Sequence, residues 1–249
     1  MDADPRREPG PGFPRCDAEA VPWIDVARMR EIDRLAIEAG LTLARMMENA
    51  GAHLALVALA MLGGDVGGRR IAVLAGRGGN GGGGLVAARR LMGWGAEVEV
   101  RLSAQPERLA PVPGEQLAIL RSTGASIAVG ADRLAPPELF LDAVLGYGQR
   151  GNPRGAAAEL VASTTGARVL SLDAPSGLIL ADGSAGEPAV EAEATLTLAL
   201  PKVGLRSEAA GRLTGAICLA DLGIPPAVFD RAAIPYRSPF SRGPVVRLV

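Results

Sequence analysis

The chain has 249 residues, 48% of them hydrophobic, enough for a sizeable buried core and too many for a largely disordered chain. A formal charge of −1 and an aromatic content of 3% exclude a broad nucleic-acid surface, whether one that grips phosphates or one that stacks bases. Two cysteines, Cys16 and Cys218, suit a reducing compartment and form no CxxC metal pattern.

Residues 1–22 are rich in Pro, Gly and charge and are expected to form an irregular arm. The start, MDADPRREPGPGFPR, has no apolar core of the signal-peptide kind, so a cytoplasmic protein is expected. Asp25 can cap a helix through VARMREIDRLAIEA, closed by Gly40, with Val26, Met29, Ile32, Leu35 and Ile37 as its buried stripe. A second helix runs from Thr42 through LARMMENAGAHLALVALAML to Gly63-Gly64. Its apolar run is too short to span a membrane, and no membrane role is expected.

From residue 70 onwards, strand and helix patterns alternate. RIAVLAG is a continuous apolar run of the kind buried on both faces of a parallel sheet. LVAARRLMGWG reads as a helix, AEVEVRL as a strand and GEQLAILRSTG as a helix. LFLDAVLG is a strand, residues 156–165 are helical, and ARVLSLDAPSG is a strand with its loop; ATLTLAL and AICLAD are later strands. This order predicts one α/β domain over residues 23–234, a Rossmann-like three-layer α/β/α sandwich around a mostly parallel central sheet. Residues 235–249, PYRSPFSRGPVVRLV, are expected to be an irregular tail.

GRGGNGGGG, Gly76–Gly84, places seven glycines among nine residues between a buried strand and a helix of the same unit. A linker would lie between domains, so this position favours a loop that lets backbone approach a ligand. Gly76, Gly78 and Gly81 satisfy GxGxxG, and such a loop brings backbone amides and a helix N-terminus to a pyrophosphate. The hydride-transferring dinucleotide enzymes also want an acid at the end of the next strand. Here that strand ends Arg101-Leu102-Ser103, with Glu97 and Glu99 too early. No Lys-Ser or Lys-Thr closes the run, so a Walker A loop fails.

Two further loops carry polar groups at strand ends. LDAVLGYGQRGNPRG holds Asp142 with Gly146, Gly148 and Gly151; LSLDAPSGL holds Asp173, then Pro175 and Ser176-Gly177. Each aspartate alone reads as a turn or cap residue. Together with the glycine loop they fall at the carboxyl ends of strands, where open α/β sheets bind ligands.

With these motifs in order, the sequence resembles the NAD(P)H-hydrate epimerase family, the YjeF N-terminal domain fold, over about residues 25–230. The resemblance rests on MREIDRLAIEAG, MMENAG, VLAGRGGNGGGGLVAARRL, DAVLGYGQRG, LDAPSGL, and LPKVGL followed by ADLGIP. It implies an isomerase of nicotinamide-cofactor repair. Such an enzyme interconverts the R and S forms of NADH or NADPH hydrated at C6, for a separate dehydratase to restore. It implies a potassium ion on Asn80, Asp142 and Ser176, a set of amide, carboxylate and hydroxyl oxygens that suits a hard monovalent cation. It implies dinucleotide contacts from Gly79, Asn80, Gly81, Gly82 and Gly83, and from Gly146, Tyr147, Gly148, Gln149, Arg150, Gly151 and Asn152. Asp173 would touch the altered nicotinamide and act as acid/base. A homodimer and functional coupling to the dehydratase are compatible with it. The family pattern in the glycine loop reads Asn-Asn-Gly-Gly-Asp-Gly, whereas this chain has glycine at 79 and 83, and Tyr147 replaces the usual Thr. A non-catalytic nucleotide-binding module of the same fold is the alternative reading.

Other residues carry blander expectations. His53, the single histidine, reads as a packed or surface residue, so a multi-histidine metal site is excluded. Lys202 reads equally as a phosphate contact or a solvated lysine, Asn49 as helix packing, and Arg150 and Arg154 as phosphate aids or surface residues.

Overall fold

The computed structural model describes residues 13–249; most of the expected N-terminal arm lies outside these residues. In chain order the elements are β1 (Arg15–Cys16), α1 (Val26–Glu38), α2 (Leu43–Met61), β2 (Arg70–Ala75), α3 (Gly79–Gly93), β3 (Glu97–Leu102), α4 (Pro111–Arg121), β4 (Ser126–Val129) and β5 (Leu139–Ala143). There follow α5 (Ala156–Ala162), β6 (Val169–Leu172), β7 (Leu178–Ile179), β8 (Ser184–Ala185), β9 (Ala194–Leu198), α6 (Glu208–Leu213), β10 (Ala216–Ala220), α7 (Pro226–Arg231) and β11 (Val245–Leu248).

Nine strands form one sheet in the order β1-β11-β10-β9-β6-β5-β2-β3-β4, and every pair is parallel except β10 with β11. Side chains of β2 alternate between two cores, as a pleated strand requires. Ile71, Val73 and Ala75 pack with residues of α2, α3 and α4. Ala72 and Leu74 face the other way, onto Leu160 and Val161 of α5. Helices therefore cover both faces, which is the expected three-layer sandwich. The chain leaves β2 outward through β3 and β4, then crosses back to β5 and runs on through β6, β9 and β10. The direction reverses between β2 and β5, and a crevice opens beyond the carboxyl ends of strands at such a point.

The helix starts follow their capping residues. Asp25 accepts from the Arg28 N–H at 2.7 Å, and Thr42 Oγ1 from the Arg45 N–H at 3.3 Å. In the expected stripe of α1, Val26, Met29, Ile32 and Leu35 are buried, but Ile37 is 52% exposed. Residue 37 lies two positions, some 200°, round the helix from Leu35 and so leaves the buried face.

Three expectations need correction. The tail is not irregular throughout: VVRL forms β11, antiparallel to β10, because Val246 and Leu248 complete a core with Val21 and Leu219 while Val245 joins the main core on the other face. From the other terminus, β1 adds to β11, so Arg15–Cys16 belong to the sheet and the arm is not irregular along its whole length. Finally, residues 79–84 are no loop. They begin α3, and Gly81, Gly82, Gly83 and Gly84 are all buried. Glycine is a poor helix former, by ~1 kcal/mol per residue against alanine. Here close packing outweighs propensity, since a Cβ on Gly84 would lie 2.7 Å from Ala143 Cβ and one on Gly82 2.2 Å from Met47 Sδ.

Candidate active site at the sheet switch point

The crevice between β2 and β5 is built by very close backbone approach. A Cβ on Gly76 would meet the Val144 carbonyl oxygen at 1.9 Å, and one on Gly81 the Gly76 carbonyl oxygen at 1.8 Å. Only glycine lets the chain turn from β2 into α3 against the end of β5. Gly78 is the N-cap and supplies no side-chain acceptor. The N–H groups of Gly79, Asn80 and Gly81 thus begin α3 without intrahelical acceptors, at the positive end of the helix.

Asp142, the penultimate residue of β5, is completely buried. Its Oδ2 accepts from Ser171 Oγ and from the Ser176 N–H, each at 2.8 Å, and its Oδ1 accepts from Ser176 Oγ at 2.6 Å and the Val144 N–H at 3.3 Å. Burial raises its pKa, and these hydrogen bonds oppose that rise. Among the described residues it has no ion-pair partner. Ser176 Oγ also accepts from the Leu145 N–H at 2.8 Å. Asn80 Nδ2 donates to the carbonyls of Leu145 and Leu172, at 3.1 and 3.2 Å, which draws α3 onto the ends of β5 and β6. The three expected potassium ligands therefore belong to one cluster. A buried carboxylate without a counter-charge, beside an amide and a hydroxyl, fits a monovalent cation.

Asp173 follows β6 and is 3% exposed. Its φ of +68° is left-handed, a conformation costing ~1–2 kcal/mol in most residues and tolerated best by Asn and Asp. The carboxylate is held from two sides: Lys202 Nζ donates to Oδ1 at 2.6 Å and the Tyr147 N–H to Oδ2 at 2.7 Å. A Cβ on Gly146 would stand 3.0 Å from Asp173 Oδ2 and 3.2 Å from Asn80 Cγ, so this glycine lets the two clusters share one crevice.

Lys202 corrects both earlier readings. It is neither solvated nor a phosphate contact: its side chain is 1% exposed, and its ammonium also donates to the Leu198 carbonyl at 3.0 Å and Thr197 Oγ1 at 3.4 Å. The apolar flanks of ATLTLALPKVGL were the available signal. Asp33, on α1, was missed altogether; it accepts from the Tyr147 hydroxyl at 2.5 Å. A carboxylate on an amphipathic helix reads as solvated, and nothing local marks it otherwise.

The remaining expected contacts divide. Gln149 is buried, and its amide bonds the Gly151 carbonyl and the Gly177 N–H, so it braces the loop. Asn152 Oδ1 accepts from the Glu187 N–H at 3.4 Å. Gly148, Arg150 and Gly151 are exposed. Gly82 and Gly83 are buried against Met47 and Leu172, and neither carries a side chain that could reach a ligand. Asn49 donates to the Leu222 carbonyl at 2.9 Å, the helix-packing role expected of it.

A model of the YjeF-related protein N-terminus matches residues 43–204. An NAD(P)H-hydrate epimerase of Dehalogenimonas lykanthroporepellens is 44% identical over 241 residues, covering 95% of this chain and 96% of that one. This chain belongs to the YjeF N-terminal family. Another NAD(P)H-hydrate epimerase, from Rhodopirellula baltica, is 35% identical over 82% of the chain and 86% of its own length. The bifunctional NAD(P)H-hydrate repair enzyme Nnr of Salinibacter ruber is 37% identical over 87% of the chain, which spans 44% of that enzyme. The crystal structure of yeast ynu0 shares the YjeF N-terminal fold with a TM-score of 0.77 at 22% identity, covering 92% of this chain and all of that one. Among the described residues no helix is long and apolar enough to cross a membrane.

Proposed function

We propose that this protein is an NAD(P)H-hydrate epimerase, interconverting the R and S forms of NADH or NADPH hydrated at C6 of the nicotinamide ring. The similarity to a relative of that name along nearly its whole length supports the activity. The observation that carries its chemistry is Asp173, a buried carboxylate held in strained backbone beside the switch-point crevice.

The reaction needs no redox step. The lone pair of the ring nitrogen expels the C6 hydroxyl, which leaves as water once protonated, and a planar cation remains. Water then adds to the opposite face and loses a proton, and the electron pair returns to nitrogen. Asp173, presented as a carboxylate by Lys202, takes the proton of the incoming water and in the reverse direction returns it to the departing hydroxyl. The uncapped start of α3 at Gly79, Asn80 and Gly81 receives the pyrophosphate, and the stretch Gly146–Asn152 holds the dinucleotide beside it.

Asn80, Asp142 and Ser176 would hold potassium. The ion would supply the positive charge that buried Asp142 lacks. The product isomer is consumed by a dehydratase, the coupling suggested by the bifunctional names of longer relatives. Cys16 and Cys218 are free thiols, in keeping with the cytoplasmic setting that is part of this reading.

Asp173→Asn keeps shape and removes the titrating group. It should lower R/S interconversion by ~10²–10⁴, followed by proton NMR well below the variant's own melting temperature, because the swap also leaves Lys202 without its buried counter-charge. Wild-type turnover in this variant would remove Asp173 from the chemistry. Dinucleotide binding by the native protein with no interconversion would favour the non-catalytic reading.

A further inference from the structure

Epimerisation at C6 poses a geometric demand that one carboxylate does not meet. The hydroxyl leaves from one face of the ring and water returns to the other, so a proton is delivered on one side and collected on the opposite side. Asp173 is fixed by Lys202 and by the Tyr147 N–H, and its left-handed backbone leaves it little freedom to serve both. Lys202 is no substitute, since its three donors are engaged by Asp173, Leu198 and Thr197.

A second proton-bearing pair stands beside the first. The Tyr147 hydroxyl donates to Asp33 Oδ2 at 2.5 Å, while the same residue's N–H holds Asp173. The phenol ring lies 5.7 Å from Lys202 Nζ, so the two pairs meet at that ring. Tyr147 and Asp33 are half-buried, whereas Asp173 and Lys202 are almost wholly buried, so the two pairs differ in their exposure. The backbone fixes this neighbourhood: Ile24 pairs with Lys202 just before α1 begins, so the segment that carries Lys202 also sets the position of Asp33's helix.

We propose that Tyr147, backed by Asp33, is the second acid/base of the epimerisation and serves the ring face opposite Asp173. The inference rests on the epimerase reading. As the C6–O bond breaks, the departing oxygen takes the Tyr147 proton and Tyr147 takes that of Asp33. Asp173 then collects the proton of the water that attacks the other face. The net result is one proton moved from Asp33 to Asp173, with solvent restoring both, and the reverse reaction runs the same path backwards. Burial raises the Asp33 carboxyl above its usual range against the opposing pull of Tyr147 and Lys202, while the charge of Asp173 adds to the rise. Burial and the charges of Asp33 and Asp173 keep Tyr147 a phenol, opposed by Arg30 on α1.

The test separates exchange from inversion. Pure R and S hydrates are incubated in ¹⁸O-labelled water, and both label entry at C6 and configuration are followed by mass spectrometry and proton NMR. Tyr147→Phe should lower inversion ~10²-fold, while label still enters with retained configuration in the isomer whose hydroxyl faces Asp173. Asp33→Asn should act in the same direction, and Asp173→Asn should abolish that retained exchange. Unchanged inversion in Tyr147→Phe overturns the proposal. So does an equal fall in exchange and inversion, the signature of a residue that only holds the loop. A native protein that performs neither exchange nor inversion instead fails the epimerase reading itself.

Discussion

Lys202 Nζ and Asp173 Oδ1 form a 2.6 Å ion pair whose side chains are 1% and 4% exposed, between the ends of β9 and β6. A pair so buried is weak evidence of net stabilisation, because desolvating both charges offsets most of their attraction. Breaking it from one side is different, since the survivor is left charged and dry. Lys202→Met should therefore lower unfolding free energy by ~3–5 kcal/mol, measured by denaturant melts. The double variant Lys202→Met/Asp173→Asn should recover part of that loss. Additive losses in the double variant would mean the two charges are not coupled.

Gly83 and Leu172 predict a second coupling. Gly83 is buried as the fifth residue of α3, not a cap at its start, and a Cβ there would stand 2.8 Å from Leu172 Cδ2. Restoring the family's aspartate by Gly83→Asp drives a carboxylate into this contact with no cation beside it among the described residues. The expected outcome is a loss on the order of 3 kcal/mol and no gain in turnover. Leu172→Val should soften the clash, so the double variant should lose less than the sum of the single ones. Higher activity and undiminished stability in Gly83→Asp would show that the pocket opens to the crevice.

The fold was legible where signals were local and repeated. Apolar runs at Ile71–Ala75, Leu139–Ala143 and Val169–Leu172 gave buried parallel strands, and Asp25 and Thr42 marked helix starts. Asp142 and Asp173 could be found because parallel sheets put strand-end residues at one edge. What failed depends on contacts distant in sequence. The helical state of Gly79–Gly84 is imposed by Met47, Ala143 and Leu172, against local propensity. Residues 126–129, SIAV, form the edge strand β4 although none is fully buried, so their apolar signal is faint. β11 exists by adding to β10, and β1 only by pairing with β11 across the two ends of the chain. Likewise, the Tyr147–Asp33 bond joins residues 114 positions apart, and no motif spacing announces it.

His53 offers a direct titration, because it is the single histidine of the chain. Burial lowers its pKa, and the charge and carbonyl of Asp221 only partly oppose this. Its Nδ1 is buried without a hydrogen-bond partner. The unfolded chain, near the ordinary value of about 6.5, then binds the proton more readily than the folded one. Stability should fall as pH drops from about 6.5 through the lower folded value, then level off. The C2 proton resonance should titrate with a midpoint below 6.5, and His53→Gln should flatten the stability loss in that window. A midpoint at or above 6.5 contradicts the burial argument.

Potassium should act through Asp142, and the charge balance of the buried cluster gives the prediction its sign. Without a cation, burial disfavours the Asp142 carboxylate in the folded state, although Ser171, Ser176 and Val144 all donate to it. An ion bound only by the folded protein stabilises it by RT ln(1 + [L]/Kd), about 2.7 kcal/mol at a hundred times Kd. Potassium should thus raise the melting temperature more than sodium at equal ionic strength, because a cluster of one carboxylate, one amide and one hydroxyl selects by size rather than by charge alone. Asp142→Asn keeps the shape and removes the charge the ion would balance. In potassium-free buffer this variant sheds the buried charge but sets an amide NH2 against one of the backbone N–H donors, at Val144 or Ser176, and added potassium should leave its melting temperature unmoved. The native protein and the variant should therefore differ most at high potassium and least in its absence. Equal shifts by the two cations, or an undiminished potassium response in Asp142→Asn, would place the ion elsewhere.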